Sequence, residues 1–229
     1  MAETAREIRG QARDALRQAI LDAALEQLAT VGAAGLSVRQ VARQVGLASS
    51  AIYRHIPSRE ALLTELIIAG YDELGAAAEQ AEAALPRDDL DGRFRATARA
   101  IRRWALEHPH HYALLYGSPV PGYAAPAATI GPATRVALVF ACILRDAALR
   151  ERPAAQDLRR SESSLEPEIL EMFLAGVDPD LAREGILAWV TVFGVVSFEL
   201  FGHLVGSVAD SERFFDQTLD SLLVRLSLV

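Results

Sequence analysis

The sequence contains no lysine and no asparagine, and it has one cysteine among its 229 residues. Every basic residue other than histidine is therefore arginine, which we attribute to a compositional bias of the genome. The single cysteine, Cys142, excludes an intrachain disulfide and fits a reducing compartment. The N-terminus lacks a basic segment followed by an apolar core, so we expect no secretory signal and a cytoplasmic protein.

Long apolar runs are also scarce. The longest, Ile186 to Phe198, is flanked by Glu184 and Glu199. It is too short for a membrane span, so we predict a helix buried in a core or a dimer interface and no membrane partner. Within such a helix, Glu199 must be paired or protonated, and a salt bridge or a helix cap is favoured over a ligand role. Cys142 is predicted to be a small apolar residue.

Acidic residues are absent from one segment of an otherwise acidic chain. The net charge is −7, with 8 Arg against 7 acids in residues 1–65 and 15 Arg against 23 acids in residues 66–229. The segment from Ser37 to Arg59 carries Arg39, Arg43, Arg54, Arg59 and His55 with no acid. Since phosphate binding depends on local positive charge, this distribution permits DNA binding despite the acidic total.

The fold class that the pattern predicts is all-α, with about nine helices or more. Apolar residues recur with the helical period, and Ala, Leu, Arg and Glu are good helix formers. We predict a DNA-binding domain of three helices at 1–57 and a helical ligand-binding and dimerisation domain at 58–229. The predicted helices are 6–30, 38–44, 49–55, 58–84, 90–107, 110–116, 132–150, 167–174, 180–206 and 211 to near the C-terminus, with a proline-rich loop at 117–132 and a polar loop at 152–164.

The run from Leu36 to His55 has the features of a helix-turn-helix. Ser37 can cap a short helix, small Ala42 permits close helix crossing, and Gly46 permits the turn. A second short helix with exposed small polar residues could then enter a major groove. The alternative is a helical hairpin that only packs in a core.

From Gly46 to Leu63, the residues Tyr53, His55, Pro57-Ser58-Arg59-Glu60 and Leu62 resemble the TetR family of one-component transcriptional regulators. After Leu63 the chain resembles a TetR subgroup with a WHG-type effector domain. The matching run is Trp189 to Gly194, although Phe193 stands where that subgroup usually has His. The loop Gly117 to Tyr123 also fits this subgroup.

The resemblance implies roles for individual residues in DNA binding. Arg39 and the exposed start of the recognition helix would read bases, while Tyr53, His55 and Arg59 would hold phosphates, and Ser37 would cap its helix and donate to a phosphate. Ala48 departs from the usual Ser or Thr cap of the recognition helix. The predicted DNA-binding residues are Ser37, Arg39, Gln40, Ser49, Ser50, Ala51, Tyr53, His55 and Arg59, and Arg6 and Arg9 are candidates for a basic arm.

The C-terminal half is expected to hold a small, mostly apolar effector. The candidate ligand-binding residues are Trp104, His108, His111, Tyr112, Tyr116, Phe140, Trp189 and Phe193. For each of them core packing is the competing interpretation. The spacing of His108, His110 and His111 argues against a metal site, because adjacent histidines point in different directions. We expect no metal and no cofactor.

The last two helices are predicted to form a homodimer through broad apolar faces. The residues that suggest it are Leu200, Leu204, Phe214, Phe215, Leu219, Leu222 and Leu226. The sequence therefore predicts a regulator, most simply a repressor that binds a palindromic double-stranded operator as a dimer and is released by its effector. One alternative is a dimer that binds DNA without any effector. A helical enzyme is disfavoured, because no catalytic triad, phosphate loop or metal spacing is present.

Overall fold

A computed structural model describes residues 2–149 and 165–228, which form helices, turns and loops without a β-strand. The predicted polar loop at 152–164 and the side chains of Arg6 and Arg9 lie outside the described residues. The helices are α1 (Ala2–Gly35), α2 (Val38–Gln44), α3 (Arg59–Ala83), α4 (Leu90–Glu107), α5 (Pro109–Tyr116), α6 (Ile130–Ala148), α7 (Pro167–Phe173), α8 (Pro179–Leu200) and α9 (Ser211–Leu226). The predicted bounds of α2 and α4 are confirmed.

The chain divides into two compact units. The first unit contains residues up to Tyr71 together with His108–Ile130, and the second contains Asp72–Glu107 and Gly131–Val229. The division falls inside α3, which continues unbroken from one set of residues into the other. The segment with α5 and the proline-rich loop thus belongs with the N-terminal helices, although it lies far along the sequence.

The first unit has a core made by α1, α2, the segment after α2 and the first half of α3. Ala42, Ile52 and Leu66 are completely buried there. Leu114, Val120 and Tyr123 pack against the same core from α5 and the loop that follows it. These contacts explain why residues 108–130 join this unit.

The second unit is built around α4, which packs against α8 and α9, while α8 also packs against α9. Two ion pairs join α4 to α9 one helical turn apart, Arg95 to Asp220 and Arg99 to Asp216. Arg102 forms two hydrogen bonds with the carboxylate of Glu199 on α8, at 2.7 and 2.8 Å. The salt bridge expected for Glu199 is therefore confirmed.

Cys142 does not behave as a purely apolar residue. The Nη2 of Arg87 donates to its Sγ at 3.1 Å, and the same guanidinium contacts Asp146. The prediction was wrong because Arg87 lies 55 positions before Cys142 in the sequence, and a local sequence pattern cannot reveal such a neighbour.

Helix α8 ends earlier than predicted, at Leu200 rather than near Gly206. Gly202 adopts a left-handed φ of 78°. The N–H of Gly202 donates to Glu199 and that of His203 to Phe198, the pair of bonds that closes a helix C-terminus. The apolar composition continues past this point, but the backbone turns away because glycine tolerates the left-handed conformation.

Two helical segments, Ala127–Ala148 and Pro179–Leu200, are long and apolar enough to cross a membrane by length and composition alone. The expectation that the apolar run near residue 190 is too short was therefore wrong on length, since α8 extends beyond that run. Core helices of soluble proteins pass the same test, and α8 carries Glu184 and Glu199, which bind Arg225 and Arg102.

Candidate functional site

The first helix of the predicted helix-turn-helix, α2, begins at a capped serine as expected. The Oγ of Ser37 accepts from the N–H of Gln40 at 3.4 Å. The backbone N–H of Ser37 donates to the Oε1 of Gln27 on α1 at 3.1 Å. The start of α2 is thereby held by its own cap and by a buried side chain of another helix.

The turn after α2 is made by Gly46, whose φ is 71°. Its N–H donates to Arg43 at 3.3 Å, and the N–H of Leu47 donates to Ala42 at 2.8 Å. This hydrogen-bond pair closes the helix and directs the chain into residues 48–55, which we call the recognition segment. The role predicted for Gly46 is confirmed.

The helix within the recognition segment is shorter and tighter than the predicted helix at 49–55. The carbonyl of Ala48 accepts from Ala51 at 2.8 Å and from Ile52 at 3.4 Å, and residues Ile52–Arg54 form a 3₁₀ helix. No side chain caps this turn. The α-helix prediction was wrong for this segment, which ends just before Pro57, and proline disfavours α-helical geometry in the residue before it.

The structure leaves most of the predicted DNA-binding side chains exposed on this part of the chain. Ile52 is fully buried beneath the segment and anchors it, while Tyr53 keeps 41% of its surface exposed. Ser37, Ala51 and Arg59 are half-buried. The exposed members are Arg39, Gln40, Ser49, Ser50, Tyr53 and His55, and Arg43 and Arg54 are exposed beside them.

Arg59 is arranged differently from the other predicted DNA contacts. Its Nη2 donates to the carbonyl of Ala33 at 2.7 Å and to that of Ala34 at 3.4 Å. These carbonyls belong to the last turn of α1. The sequence pattern gave no sign of this bond, because the partners lie 25 and 26 residues away.

The predicted ligand-binding residues fall into two groups. His111 and Tyr112 are buried and Tyr116 is half-buried on α5, and the exposed His108 precedes that helix. All four belong to the unit that contains α2. The ring of Tyr116 contacts Tyr71 edge-on at 6.0 Å and Tyr112 at 5.0 Å between centroids.

His111 has a backbone partner on α3. Its Nε2 lies 2.7 Å from the carbonyl oxygen of Leu66. The imidazole lies over Gly70, where an added Cβ would be 2.5 Å from Nε2. Glycine at this position therefore lets α5 approach α3 closely.

The other four predicted ligand-binding residues lie in the second unit. Phe140 is buried against Phe94 at 5.3 Å, and Trp104 is buried on α4. The ring of Trp189 lies 5.6 Å from that of Phe193 and is tilted by 59°, and Trp189 is 36% exposed whereas Phe193 is buried. Trp189 thus faces outward in the single chain.

A cleft of about 430 Å³ lies between α4 and α9 in the second unit, and none of the predicted ligand-binding residues lines it. Sequence reasoning did not predict it. Its charged lining is evenly balanced between arginine and acid, and Arg99 and Arg102 are already paired with Asp216 and Glu199. The lining residues are Arg99, Arg102, Arg103, Leu106, Glu107, Glu212, Phe215 and Asp216.

The predicted dimer residues are only partly on the surface. Phe215, Leu219, Leu222 and Leu226 are buried within their own unit, whereas Phe214 is 37% exposed. The prediction of a surplus apolar face on α9 was wrong for these four, because α9 packs them against α4 and α8. Other large apolar side chains are exposed on α8, on the connection after it and on α9, namely Leu187, Val190, Phe198, Phe201, Val205 and Val224.

Comparisons with known proteins agree with this architecture. A profile described as bacterial regulatory proteins of the tetR family matches residues 20–66, and one described as a tetracyclin repressor-like C-terminal domain matches residues 94–222. An HTH-type transcriptional regulator of Mycobacterium tuberculosis is 38% identical over 197 residues, covering 85% of this chain and 84% of that protein.

Solved structures share the fold. The regulatory protein SCO4313 is 30% identical with a TM-score of 0.75, covering 94% of this chain and 98% of its own. A variant of TetR from Acinetobacter baumannii AYE, in complex with minocycline, is 20% identical with a TM-score of 0.51, covering 91% and 94% of the two chains. Our chain is therefore a member of the TetR family of transcriptional regulators, a DNA-binding protein and not an enzyme.

Proposed function

We propose that this regulator is a repressor that binds a palindromic operator as a homodimer and is released by a small, mostly apolar effector. It would act in the cytoplasm, where bacterial DNA lies. The observation that carries the proposal is the exposed surface of α2 and the recognition segment, whose own residues include no acid, above a buried core. A surface of this kind can enter a major groove and neutralise phosphates.

Within that surface we assign base contacts and phosphate contacts separately. Arg39 can form two hydrogen bonds to a guanine, and Gln40 is exposed one residue further along α2. Ser49, Ser50 and Ala51 lie at the start of the recognition segment and would contact base edges. Ser37, Tyr53 and His55 would donate to phosphates. Arg59 was predicted for the same role, but its Nη2 is already bonded to two carbonyls.

The exposed apolar residues of α8 and α9 support a dimer. Val190 is 51% exposed, Phe198 54%, Val205 84% and Val224 66%. Contact with a second copy would remove this apolar surface from water, which favours association. Two-fold symmetry of the protein would match a palindromic operator.

An effector would act through differential affinity for two states of the protein. Helix α3 starts beside the recognition segment and continues into the second unit without interruption. A ligand held by the aromatic residues could therefore move α3 and with it the separation of the two recognition segments. The distant TetR neighbour that binds minocycline supports a small-molecule effector.

Selection of bound duplexes from a random DNA pool tests the proposal. We expect enrichment of an inverted repeat, whose release by small molecules can then be screened on the enriched duplex. Absence of any enriched sequence would contradict operator binding. Enrichment without release by any apolar compound would favour a dimer that binds DNA without an effector.

A further inference from the structure

The last turn of α1 ends in carbonyls with few backbone donors, since that of Ala33 accepts only a long bond of 3.4 Å from the N–H of Leu36. Gly32 has non-helical angles, with φ 68° and ψ 176°, and so interrupts the helix before its final turn. The carbonyl groups at the end of any helix lack donors within the helix. The carbonyls of Ala33 and Ala34 belong to this turn, immediately before the segment that leads into α2.

Arg59 supplies a donor to both carbonyls. It is the first residue of α3, and its Nη2 lies 2.7 Å from the oxygen of Ala33 and 3.4 Å from that of Ala34. A cation at the C-terminal end of a helix also stabilises the helix dipole. One side chain therefore ties the start of α3 to the end of α1.

Gln27 holds the same segment at its other end. Only 8% of Gln27 is exposed, and its Oε1 accepts from the backbone N–H of Ser37. In a capping box this N–H would be bound by the side chain three residues after the cap, here Gln40. Gln40 is instead exposed and left for DNA.

The segment Ala33–Ser37 is thus fixed at both ends by side chains of α1 and α3. This segment leads into α2, which Ser37 caps and which carries Arg39 and Gln40, the residues proposed to contact bases. Bidentate contacts to a base require close control of distance and angle. A small rotation of α2 would cost base contacts more than it would cost contacts with the continuous phosphate backbone.

We propose that Gln27 and Arg59 are positioning residues that fix α2 for base readout, and that Arg59 acts through its bonds to Ala33 and Ala34 rather than as a phosphate contact. The inference rests on the proposed operator binding and on the assignment of Arg39 and Gln40 to base edges. Arg59 would bind carbonyls of its own chain, whereas the family resemblance implies that it binds a DNA phosphate.

The test compares Arg59→Met and Gln27→Met with wild type, and Arg145→Met is the control because Arg145 is exposed on α6 in the other unit. Dissociation constants are measured at several salt concentrations for the enriched operator duplex and for a random duplex of equal length. We expect the operator affinity of both variants to fall about 10-fold, or about 1.4 kcal/mol, while the random-duplex affinity changes less than about twofold and the salt slopes stay unchanged.

Loss of a phosphate contact would look different. It would weaken both duplexes equally and lower the salt slope by about one for Arg59→Met. That result, or wild-type behaviour of both variants, would overturn the proposal. Gln27→Met changes no charge, so a drop in its operator-to-random ratio cannot come from a lost cation.

Thermal melting followed by circular dichroism shows whether each variant is folded at the temperature of the binding measurements. If Arg59→Met does not fold, Arg59→Gln replaces it, and an unchanged salt slope remains the expected result. If wild type enriches no sequence, the proposed function fails first. If wild type binds its operator and the variants keep its discrimination, only the positioning role fails.

Discussion

At the residue scale, the buried charged side chains Glu82, Arg93 and Glu184 of the second unit all take part in ion pairs. Arg93 is fully buried on α4, where its Nη1 donates a hydrogen bond of 2.7 Å to the carbonyl of Arg87 and forms an ion pair with Asp146 at 2.8 Å, and its Nη2 contacts Glu82. A buried cation is tolerated only when its donors are satisfied. The free energy of unfolding should therefore depend on each acidic partner of Arg93.

Removal of one partner should show this dependence. We expect Glu82→Ala to lower the free energy of unfolding by about 3 kcal/mol, since it leaves the buried Arg93 with part of its charge unpaired. Urea denaturation of the purified protein measures the change. Glu171→Ala is the control, because Glu171 is exposed on α7, and equal midpoints for the two variants would contradict the prediction.

Two DNA-binding side chains should have separable effects. Tyr53→Ala removes a proposed phosphate contact and should weaken binding to operator and random DNA about equally. Arg39→Ala removes a proposed base contact and should relax specificity at one position, by about 1–3 kcal/mol of discrimination. Gel-shift titration against the operator and its single-base variants distinguishes the two, and intact operator binding by both variants would refute these assignments.

At the element scale, helix ends and helix contacts are decided by a few glycines. Gly46 closes α2 at positive φ with nothing within 4 Å of an added Cβ, whereas Gly70 has the ring of His111 directly above it. Glycine is required at position 46 by the backbone conformation and at position 70 by packing. Substitution by alanine should therefore destabilise both, for different reasons.

For Gly46→Ala we expect a loss of about 1 kcal/mol, the cost of a left-handed non-glycine residue. Gly131→Ala is the matched control, because Gly131 is helical, exposed and also without close neighbours. That change should raise stability by about 0.5–1 kcal/mol. Thermal denaturation of both variants measures the difference, and shifts of the same sign would contradict this explanation.

For Gly70→Ala we expect a loss of about 1–3 kcal/mol through overpacking against His111. His111→Ala should relieve the clash, so the double variant should be more stable than the sum of the single changes predicts. A double-mutant cycle by urea denaturation measures this coupling. Strict additivity would show that α5 and α3 do not meet at this point.

The packing of α3 against α5 should also affect the ionisation of tyrosine side chains at alkaline pH. Burial raises the pKa of Tyr71 and of Tyr116, which meet edge-on. Both tyrosines ionise more easily in the unfolded chain than in the folded protein. Their raised pKa therefore leaves the free energy of unfolding unchanged below the ordinary tyrosine pKa of about 10 and lowers it as the pH rises above that value. Ultraviolet titration at alkaline pH should show late ionisation, and Tyr116→Phe should remove part of that late phase. An unchanged titration curve would contradict the burial argument.

At the scale of the whole molecule, α8 and α9 expose several large apolar side chains. They are flanked by buried residues of the same helices, so the helices have a core side and an outer side. Natural monomers rarely expose large contiguous apolar patches. The outer side is therefore the surface on which the proposed dimer depends.

A charge placed on that surface should separate the proposed dimer. We expect Val190→Glu to yield a monomer at micromolar concentration and to weaken operator binding, because one half-site alone provides fewer contacts. Leu149→Glu is the control, since Leu149 is 85% exposed at the end of α6. Analytical ultracentrifugation measures both, and a wild-type monomer would refute the dimer itself.

The sequence by itself determined the helical class, the bounds of α2 and α4, the capping role of Ser37, the turn at Gly46 and the family. These features depend on neighbours within a few residues, where periodicity, caps and turn residues act. The tertiary structure decided which partners distant side chains meet. It placed Arg59 against α1, His111 against α3, and residues 108–130 beside the N-terminal helices, and it buried Leu222 in its own unit. Packing between distant segments sets these outcomes, and no local pattern encodes it.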